Sequence, residues 1–428
     1  MAGRRTVADR LAAALSAVLG TTELPLRLRG WDGSVAGPPG APVLAVRSRR
    51  ALRRLVWSPG QLGLGRAYVA GEIDIEDDVF DTFAALRSVG RLAEKGRMVP
   101  PTARDRLGLV GTALRLGAIG PEPEPPAEEA DLGRSGRRHS RRRDAAAISH
   151  HYDVGNDFYE LVLGPSMVYS CAVWASPDTG LDAAQEAKLD LVCRKLGLTD
   201  GDRLLDVGCG WGSLAIHAAQ RYGATVVGIT LSEEQAQLAR KRVAEVGLTD
   251  RIEIRVQDYR EIDDGPFDAI SSIGMSEHVG RAEMPPYARR LHDLLRPGGR
   301  LLNHAIAWNA GTTTWNPDTF IARYVFPDGE LLGLGETVGL LEDGGALEVL
   351  DVEALRQHYA LTLRAWVRRL EAEWDAAVAA SSPGRARVWR LYMAACALAF
   401  ESGEMGVNQV LLRRPGGEQP PLRRDAWV

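Results

Sequence analysis

The chain has 428 residues, room for two domains and a linker, and its 45% hydrophobic and 25% charged residues are those of an ordinary globular protein. A formal net charge of −4 argues against a nucleic-acid binder, and no apolar run reaches the ~18 residues that a membrane-crossing helix needs. The four cysteines, Cys171, Cys193, Cys209 and Cys396, form no C-x-x-C pair, so neither a metal site nor a disulfide framework is expected, and the chain reads as reduced and cytoplasmic.

In chain order, residues 1–94 read as a small accessory α+β domain. Leu26, Leu28 and Val43 to Val46 suggest short strands around the Gly37 to Gly40 turn. Arg49 to Trp57 reads as a helix with Leu52, Leu55 and Val56 on one face. Residues 95–147 read as a linker. Pro121 to Asp131, rich in Pro, Glu and Ala, is expected to be extended and mobile. It is followed by Arg134, Arg137, Arg138, Arg141, Arg142 and Arg143, six arginines in ten residues. Such a block is either a solvated linker or a peripheral contact with anionic lipid on the inner face of the membrane, where each basic residue contributes ~1 kcal/mol.

Residues 148–416 read as a second domain and 417–428 as a tail. Strands are expected at Arg203–Val207, Thr225–Ile229, Ile252–Val256, Phe267–Ile273 and Arg300–Ala307, with helices at Glu233–Val246 and Pro286–Leu295 between them. This alternation predicts an α/β fold with a doubly wound, mostly parallel sheet. The later segments Val352–Trp374 and Arg385–Glu401 read as helices that cover the site.

The strongest local motif is Asp206-Val207-Gly208-Cys209-Gly210-Trp211-Gly212, where an apolar strand ends in an acid and three alternating glycines lead into a helix. Glycine lets the backbone approach a ligand closely. The Gly-x-Gly-x-Gly spacing, with Thr230, Ser232 and Gln235 after the second strand and Gln257, Asp258 and Tyr259 after the third, favours S-adenosylmethionine over a dinucleotide. No acid ends the second strand, so neutral groups must serve the ribose.

Together these residues resemble the cyclopropane fatty acid synthase family, which includes the mycolic acid cyclopropane synthases. The resemblance is carried by His151-Tyr152-Asp153-Val154-Gly155-Asn156, Tyr169-Ser170-Cys171-Ala172, the glycine loop, Gly228-Ile229-Thr230-Leu231-Ser232, Glu277-His278-Val279-Gly280 and Tyr324-Val325-Phe326-Pro327. It implies methyl transfer from S-adenosylmethionine to a cis double bond of a phospholipid acyl chain, with Tyr169 and Ser170 at the cofactor. It further implies bound bicarbonate as the base, held by Cys171, Glu277, His304, the backbone of Ile306, and Tyr359. Cys396 matches another family cysteine regarded as catalytic, although the chemistry needs no covalent step. A cyclopropane is the first product implied and a methylene-branched acid the second. The expected partners are membrane phospholipid, a second copy of the chain and, for the methylene product, a separate reductase.

Bland roles stand beside these. Cys193 and Cys396 lie on helical patterns and read as core. Trp174, Trp315 and Trp366 read as walls, and His150, His151 and His278 as loop-ordering. Ser276 and Asn408 stand where the family commonly has aromatics, which bears on the acyl tunnel. A methyltransferase acting on a small O, N or C nucleophile and a non-enzymatic lipid-binding protein remain the alternatives.

Overall fold

The computed structural model describes residues 5–21, 24–94, 103–130, 143, 154–309 and 319–427. The chain forms two compact units: Met1–Glu129 with Asp318–Val325 and Ser382–Leu398, and Ala130–Pro317 with Phe326–Ser381 and Ala399–Val428.

In the first unit the helix Val7–Leu19 opens with a capping box, Thr6 and Asp9 satisfying each other's backbone N–H groups. Four short strands, β1 (Arg27–Arg29), β2 (Val35–Ala36), β3 (Val43–Val46) and β4 (Ile73–Ile75), form a sheet in the order β2-β1-β3-β4. Leu11, Leu28, Val46, Ala51, Ala67 and Ile73 fill the core beneath it. The helix Arg49–Trp57 lies where its sequence pattern puts it, but it buries Ala51 and Arg54 rather than Leu55 and Val56.

Polar contacts enlarge this unit beyond residue 94. Arg54 pairs with Glu72 at 3.0 Å and donates to the Glu124 carbonyl at 2.7 Å. Arg66 grips both oxygens of Glu129, at 2.8 and 2.7 Å, and Tyr324 donates to the same carboxylate. The Pro/Glu stretch is therefore anchored where a mobile linker was expected, because the buried Arg54 and the partly buried Arg66 require carboxylate and carbonyl partners. Two later segments also join this unit. Phe320 packs so closely on Gly65 that a β-carbon there would meet its ring at 2.4 Å. Arg387 bonds Asp74 and the Tyr68 carbonyl.

In the second unit, strands β5 (Arg203–Val207), β6 (Thr225–Thr230), β7 (Ile252–Val256), β8 (Phe267–Ile273), β9 (Leu295–Trp308), β10 (Leu332–Gly333), β11 (Glu348–Ala354) and β12 (Met405–Arg413) build one sheet. Its order is β11-β12-β9-β8-β5-β6-β7, with β10 paired to β9. The run from β9 to β7 is parallel, and β12 and β11 add antiparallel strands at the other side. Because β6 lies on one flank of β5 and β8 on the other, the strand order reverses beside β5, and a crevice opens above its carboxyl end.

Two expectations change here. Val352 belongs to β11, and the helix expected from it starts at Arg356. β12 was not anticipated, yet all nine of its residues are buried. Its Asn408, Gln409 and Arg413 break the apolar pattern by which a central strand is recognised.

Candidate active site

The cavity at the carboxyl ends of the parallel strands begins at the glycine loop. Gly208, Gly210 and Gly212 take φ of 79°, 55° and 77°, the left-handed region that side chains rarely occupy. Gly208, Gly210, Thr230, Gln235, Gln257, Asp258 and Tyr259 line the cavity, as does Glu283, which sequence reasoning did not select. Among the described residues, chain neighbours aside, no atom lies within 4 Å of the β-carbon that a residue at 210 would carry, so such an atom would enter ligand space.

The other expected cofactor residues work from behind. Asp206 is buried and accepts from the Ser271 hydroxyl at 2.7 Å, and burial raises its carboxyl to about 6. Cys209 packs against Gly228, which has no room for a side chain. Gly212 is the cap before the helix Ser213–Tyr222. Ser232 caps the helix Glu233–Glu245 by accepting from the Gln235 N–H, while the Thr230 hydroxyl donates to Gln235 Oε1 at 2.7 Å. Arg260 holds both oxygens of Asp258, so that acid meets the cavity already paired.

Tyr169 and Ser170 lie on the segment that runs beside the helix Leu181–Leu196. Gln185 of that helix donates to the Ser170 carbonyl at 2.9 Å, and Lys188 Nζ donates to the Ser170 hydroxyl at 3.1 Å. Lys188 is 2% exposed, and neither it nor Gln185 was singled out from the sequence. The available signal was a charged residue on the apolar face of an amphipathic helix.

A second cluster forms where β8 and β9 end. Glu277 stands on the four-residue helix Ser276–Val279. The residue as a whole is only partly buried, but Oε2 is sealed from solvent and has no hydrogen-bond partner, while Oε1 accepts from the Ile306 N–H at 2.8 Å. Burial pushes this carboxyl up to about 7. The Ile306 N–H, expected to face an anion, is thus engaged in orienting Glu277.

His304, two residues earlier on β9, is 2% exposed. Its Nδ1 is 3.3 Å from the Gln409 amide nitrogen directly across the β9–β12 pair, and its Nε2 is buried without a partner. Burial, reinforced by Lys188 and Lys195, lowers the imidazole to about 3, so the ring is neutral. The expected Glu277–His304–Tyr359 network is not closed by a direct Glu277–His304 bond, since Oε2 and Nε2 each end unpaired.

Cys171 is fully buried and directs its thiol at the carbonyls of Ala172 (3.2 Å) and Leu355 (3.7 Å). Burial holds that thiol well above its ordinary value, so it is no nucleophile. Tyr359 packs on Phe400 at 4.7 Å and edge-on to Trp366 at 6.1 Å. Trp366 in turn meets Tyr169, Tyr169 meets Tyr159, and Tyr159 meets Trp211 of the glycine loop. One aromatic wall therefore runs from the cofactor loop to Tyr359.

Cys396 lies in the first unit on the helix Pro383–Ser402, with its thiol raised to about 12 by burial. Trp174 donates its indole N–H to Thr362 at 3.0 Å, a structural contact. Trp315, His150, His151 and the arginines 134, 137, 138, 141 and 142 lie outside the described residues. Arg143 is described, and it forms a two-pronged ion pair with Asp328 at 2.7 and 3.0 Å instead of facing solvent unpaired. Among the described residues there is no group of His, Cys, Asp and Glu suited to a metal, and no helix is long and apolar enough to cross a membrane.

A doubly wound sheet with a glycine-edged cavity at its switch point is the frame of a class I methyltransferase, an enzyme that draws its methyl group from S-adenosylmethionine. Comparison with known proteins narrows the class. Residues 139–410 match the family model described as mycolic acid cyclopropane synthetase. The chain is 43% identical over 411 residues to a Mycobacterium tuberculosis protein named "Probable fatty acid methyltransferase", covering 94% of this chain and 95% of that one. It is 34% identical to the cyclopropane-fatty-acyl-phospholipid synthase of Escherichia coli K12, covering 84% and 85%. Among solved structures, the cyclopropane synthase MmaA2 of Mycobacterium tuberculosis superposes with a TM-score of 0.60 at 33% identity, over 63% of this chain and 98% of that one. The chain belongs to the mycolic acid cyclopropane synthetase family and is a fatty acyl methyltransferase.

Proposed function

We propose that the protein transfers a methyl group from S-adenosylmethionine to the cis double bond of an unsaturated acyl chain in phospholipid, with bicarbonate as the base, giving a cyclopropane or a methylene-branched fatty acid. The carrying observation is the pair of buried, unpartnered polar atoms, Glu277 Oε2 and His304 Nε2. A buried polar atom without a partner asks for an explanation, and these two belong to His304, opposite the last residue of β8, and to Glu277, just beyond it. A carboxyl raised to about 7 and a neutral imidazole can each donate to an anion. Bicarbonate suits that donor pair and would supply a base where the chain's own carboxyl is half protonated at neutral pH, and by family resemblance Tyr359 and Cys171 would complete its ligands.

The chain's residues perform the remaining tasks. Gly208 and Gly210 leave space for the cofactor, and Thr230, Gln235 and Gln257 offer neutral hydrogen bonds. An alkene is a weak nucleophile that needs no activating base, which agrees with buried, un-ionised cysteines. Methyl transfer leaves a carbocation on the acyl chain, and the aromatic faces of Tyr169, Trp366 and Tyr359 can stabilise it while excluding water.

Loss of a proton from the new methyl group closes the ring. A preceding hydride shift yields the methylene instead. The small Ser276 next to Glu277 stands where the family commonly has an aromatic, which supports the second exit. So do the names of relatives such as the tuberculostearic acid methyltransferase of Mycobacterium tuberculosis, 34% identical. Incubation with a monounsaturated phospholipid and methyl-deuterated cofactor tests the reading. Either product should retain two of the three deuteriums, and only the methylene shows olefinic carbon by NMR. Retention of all three deuteriums would rule out deprotonation of the added methyl and the base with it.

A further inference from the structure

We propose that Lys188 is the buried counter-cation for the methionine carboxylate of S-adenosylmethionine, acting on it through the hydroxyl of Ser170. The proposal rests on the reading that the cavity binds this cofactor, and it names how one end of the cofactor is held.

Two lysines seven residues apart on the helix Leu181–Leu196 carry the argument. Both are buried, at 2% and 0% exposure. Lys195 has protein carboxylates, Glu353 at 2.5 Å and Asp351 at 3.8 Å. Lys188 has no carboxylate within 4 Å among the described residues, and its ammonium makes a single hydrogen bond, to Ser170 Oγ at 3.1 Å. A buried charge whose nearest counter-charge, Asp206, lies beyond ion-pair reach is expensive, and the expense is relieved when an ion of opposite sign arrives. Lys188 stays mostly charged at neutral pH. Burial lowers it to about 8, and the nearby Asp206, itself committed to Ser271, keeps it from falling further.

The chemistry of the Ser170 hydroxyl gives the direction. Because its oxygen accepts from Lys188, its hydrogen is left to donate elsewhere. Ser170 is partly exposed and Tyr169 beside it joins the aromatic wall that reaches the glycine loop, so in this proposal that hydrogen points toward the cofactor. Gln185 fixes the same segment by donating to the Ser170 carbonyl. The cofactor carries one carboxylate and two cationic groups, the α-ammonium and the sulfonium. A fixed cation behind Ser170 attracts the first and repels the others, so it also orients the methyl donor. Lys188 is accordingly a positioning residue. The competing anion is the base, since Cys171 and His304 also feel the Lys188 charge.

Calorimetry on the full chain with S-adenosylmethionine, S-adenosylhomocysteine and 5′-methylthioadenosine, which lacks the amino-acid end, tests this. Lys188→Met and Ser170→Ala should each weaken the first two ligands about tenfold or more, as expected for a charge-assisted hydrogen bond, and change the third by less than about threefold. Ligand-free Lys188→Met loses the attraction between Lys188 and the buried Asp206, so its melting temperature is read beside the affinities, and the methylthioadenosine arm separates a general loss of stability from loss of the carboxylate's partner. Unchanged affinity for S-adenosylmethionine overturns the proposal, and so does an equal loss for methylthioadenosine, which would mean a distorted cavity. A raised bicarbonate requirement with intact cofactor affinity would assign the cation to the base and also overturns it. If Lys188→Met does not fold, Lys188→Gln, which keeps a donor for Ser170 but not the charge, takes its place in the same three titrations. Failure of the wild type to bind S-adenosylmethionine would remove the cofactor reading itself, and this proposal with it.

Discussion

The cofactor cavity and the chamber around Glu277 adjoin the same strand ends but are built in opposite ways. The cavity is made by removing side chains, so that Gly208 and Gly210 expose backbone, while polar groups around them are already paired with one another. The chamber is made by burying side chains and leaving Glu277 Oε2 and His304 Nε2 unpaired. A pocket of the first kind takes a large ligand by shape and many weak bonds. One of the second kind takes a small ion by relieving a desolvation cost already present in the fold.

That contrast can be broken in graded steps. Glu277→Gln should lower turnover by ~10²–10⁴, the range for loss of proton-transfer catalysis, and leave affinity for S-adenosylmethionine within about threefold. Single-turnover kinetics beside calorimetry separates the two. A parallel loss of affinity would show that cavity and chamber are one unit. Gly210→Val is the converse. Chain neighbours aside, its β-carbon meets no atom of the described residues within 4 Å and enters the cavity, so affinity should fall roughly a hundredfold or more, about 2.7 kcal/mol, while the left-handed φ of 55° also lowers the melting temperature of the free protein.

A subtler effect follows from the Glu277 carboxyl being raised from 4.5 to about 7 in the folded state. Between those values the folded chain holds a proton that the unfolded chain has released, so this group costs stability progressively as pH rises through the window, and fully above it. Glu277→Gln should therefore be more stable than wild type by roughly 1–3 kcal/mol at pH 8, with the advantage gone below about pH 4.5. Urea titrations at the two pH values check the sign. The smallest effect is expected at Cys396, whose thiol is pushed to about 12 and cannot ionise at working pH. Cys396→Ser should keep turnover within about threefold, whereas a nearly inactive serine variant would reveal a nucleophile.

The cavity was largely legible in the sequence because its parts are local. Three glycines in five residues and a polar residue at each successive strand end are adjacent along the chain, and β5, β6, β7 and β8 lie close to where periodicity puts them. The chamber was reached through resemblance. Cys171, Glu277, His304 and Tyr359 are scattered over nearly 190 positions, and none stands in a spacing that announces chemistry. The support of His304 was missed altogether. Gln409 is set against it only by the β9–β12 register, and β12 went unrecognised because polar residues interrupt its apolar run.

The sequence by itself determined the alternation of strands and helices, the glycine loop after β5 and the kind of cofactor that loop accepts. Those depend on backbone freedom and on hydrophobic period, which are properties of neighbouring residues. Tertiary structure alone decided which polar groups ended buried and which found partners. Lys195 met Glu353 while Lys188, two turns away on the same helix, met only Ser170. Ile306 gave its N–H to Glu277, and the Pro/Glu stretch was drawn onto the first unit by Arg66. Burial and pairing depend on segments far apart in sequence, and they set the charge state of each side chain in the site.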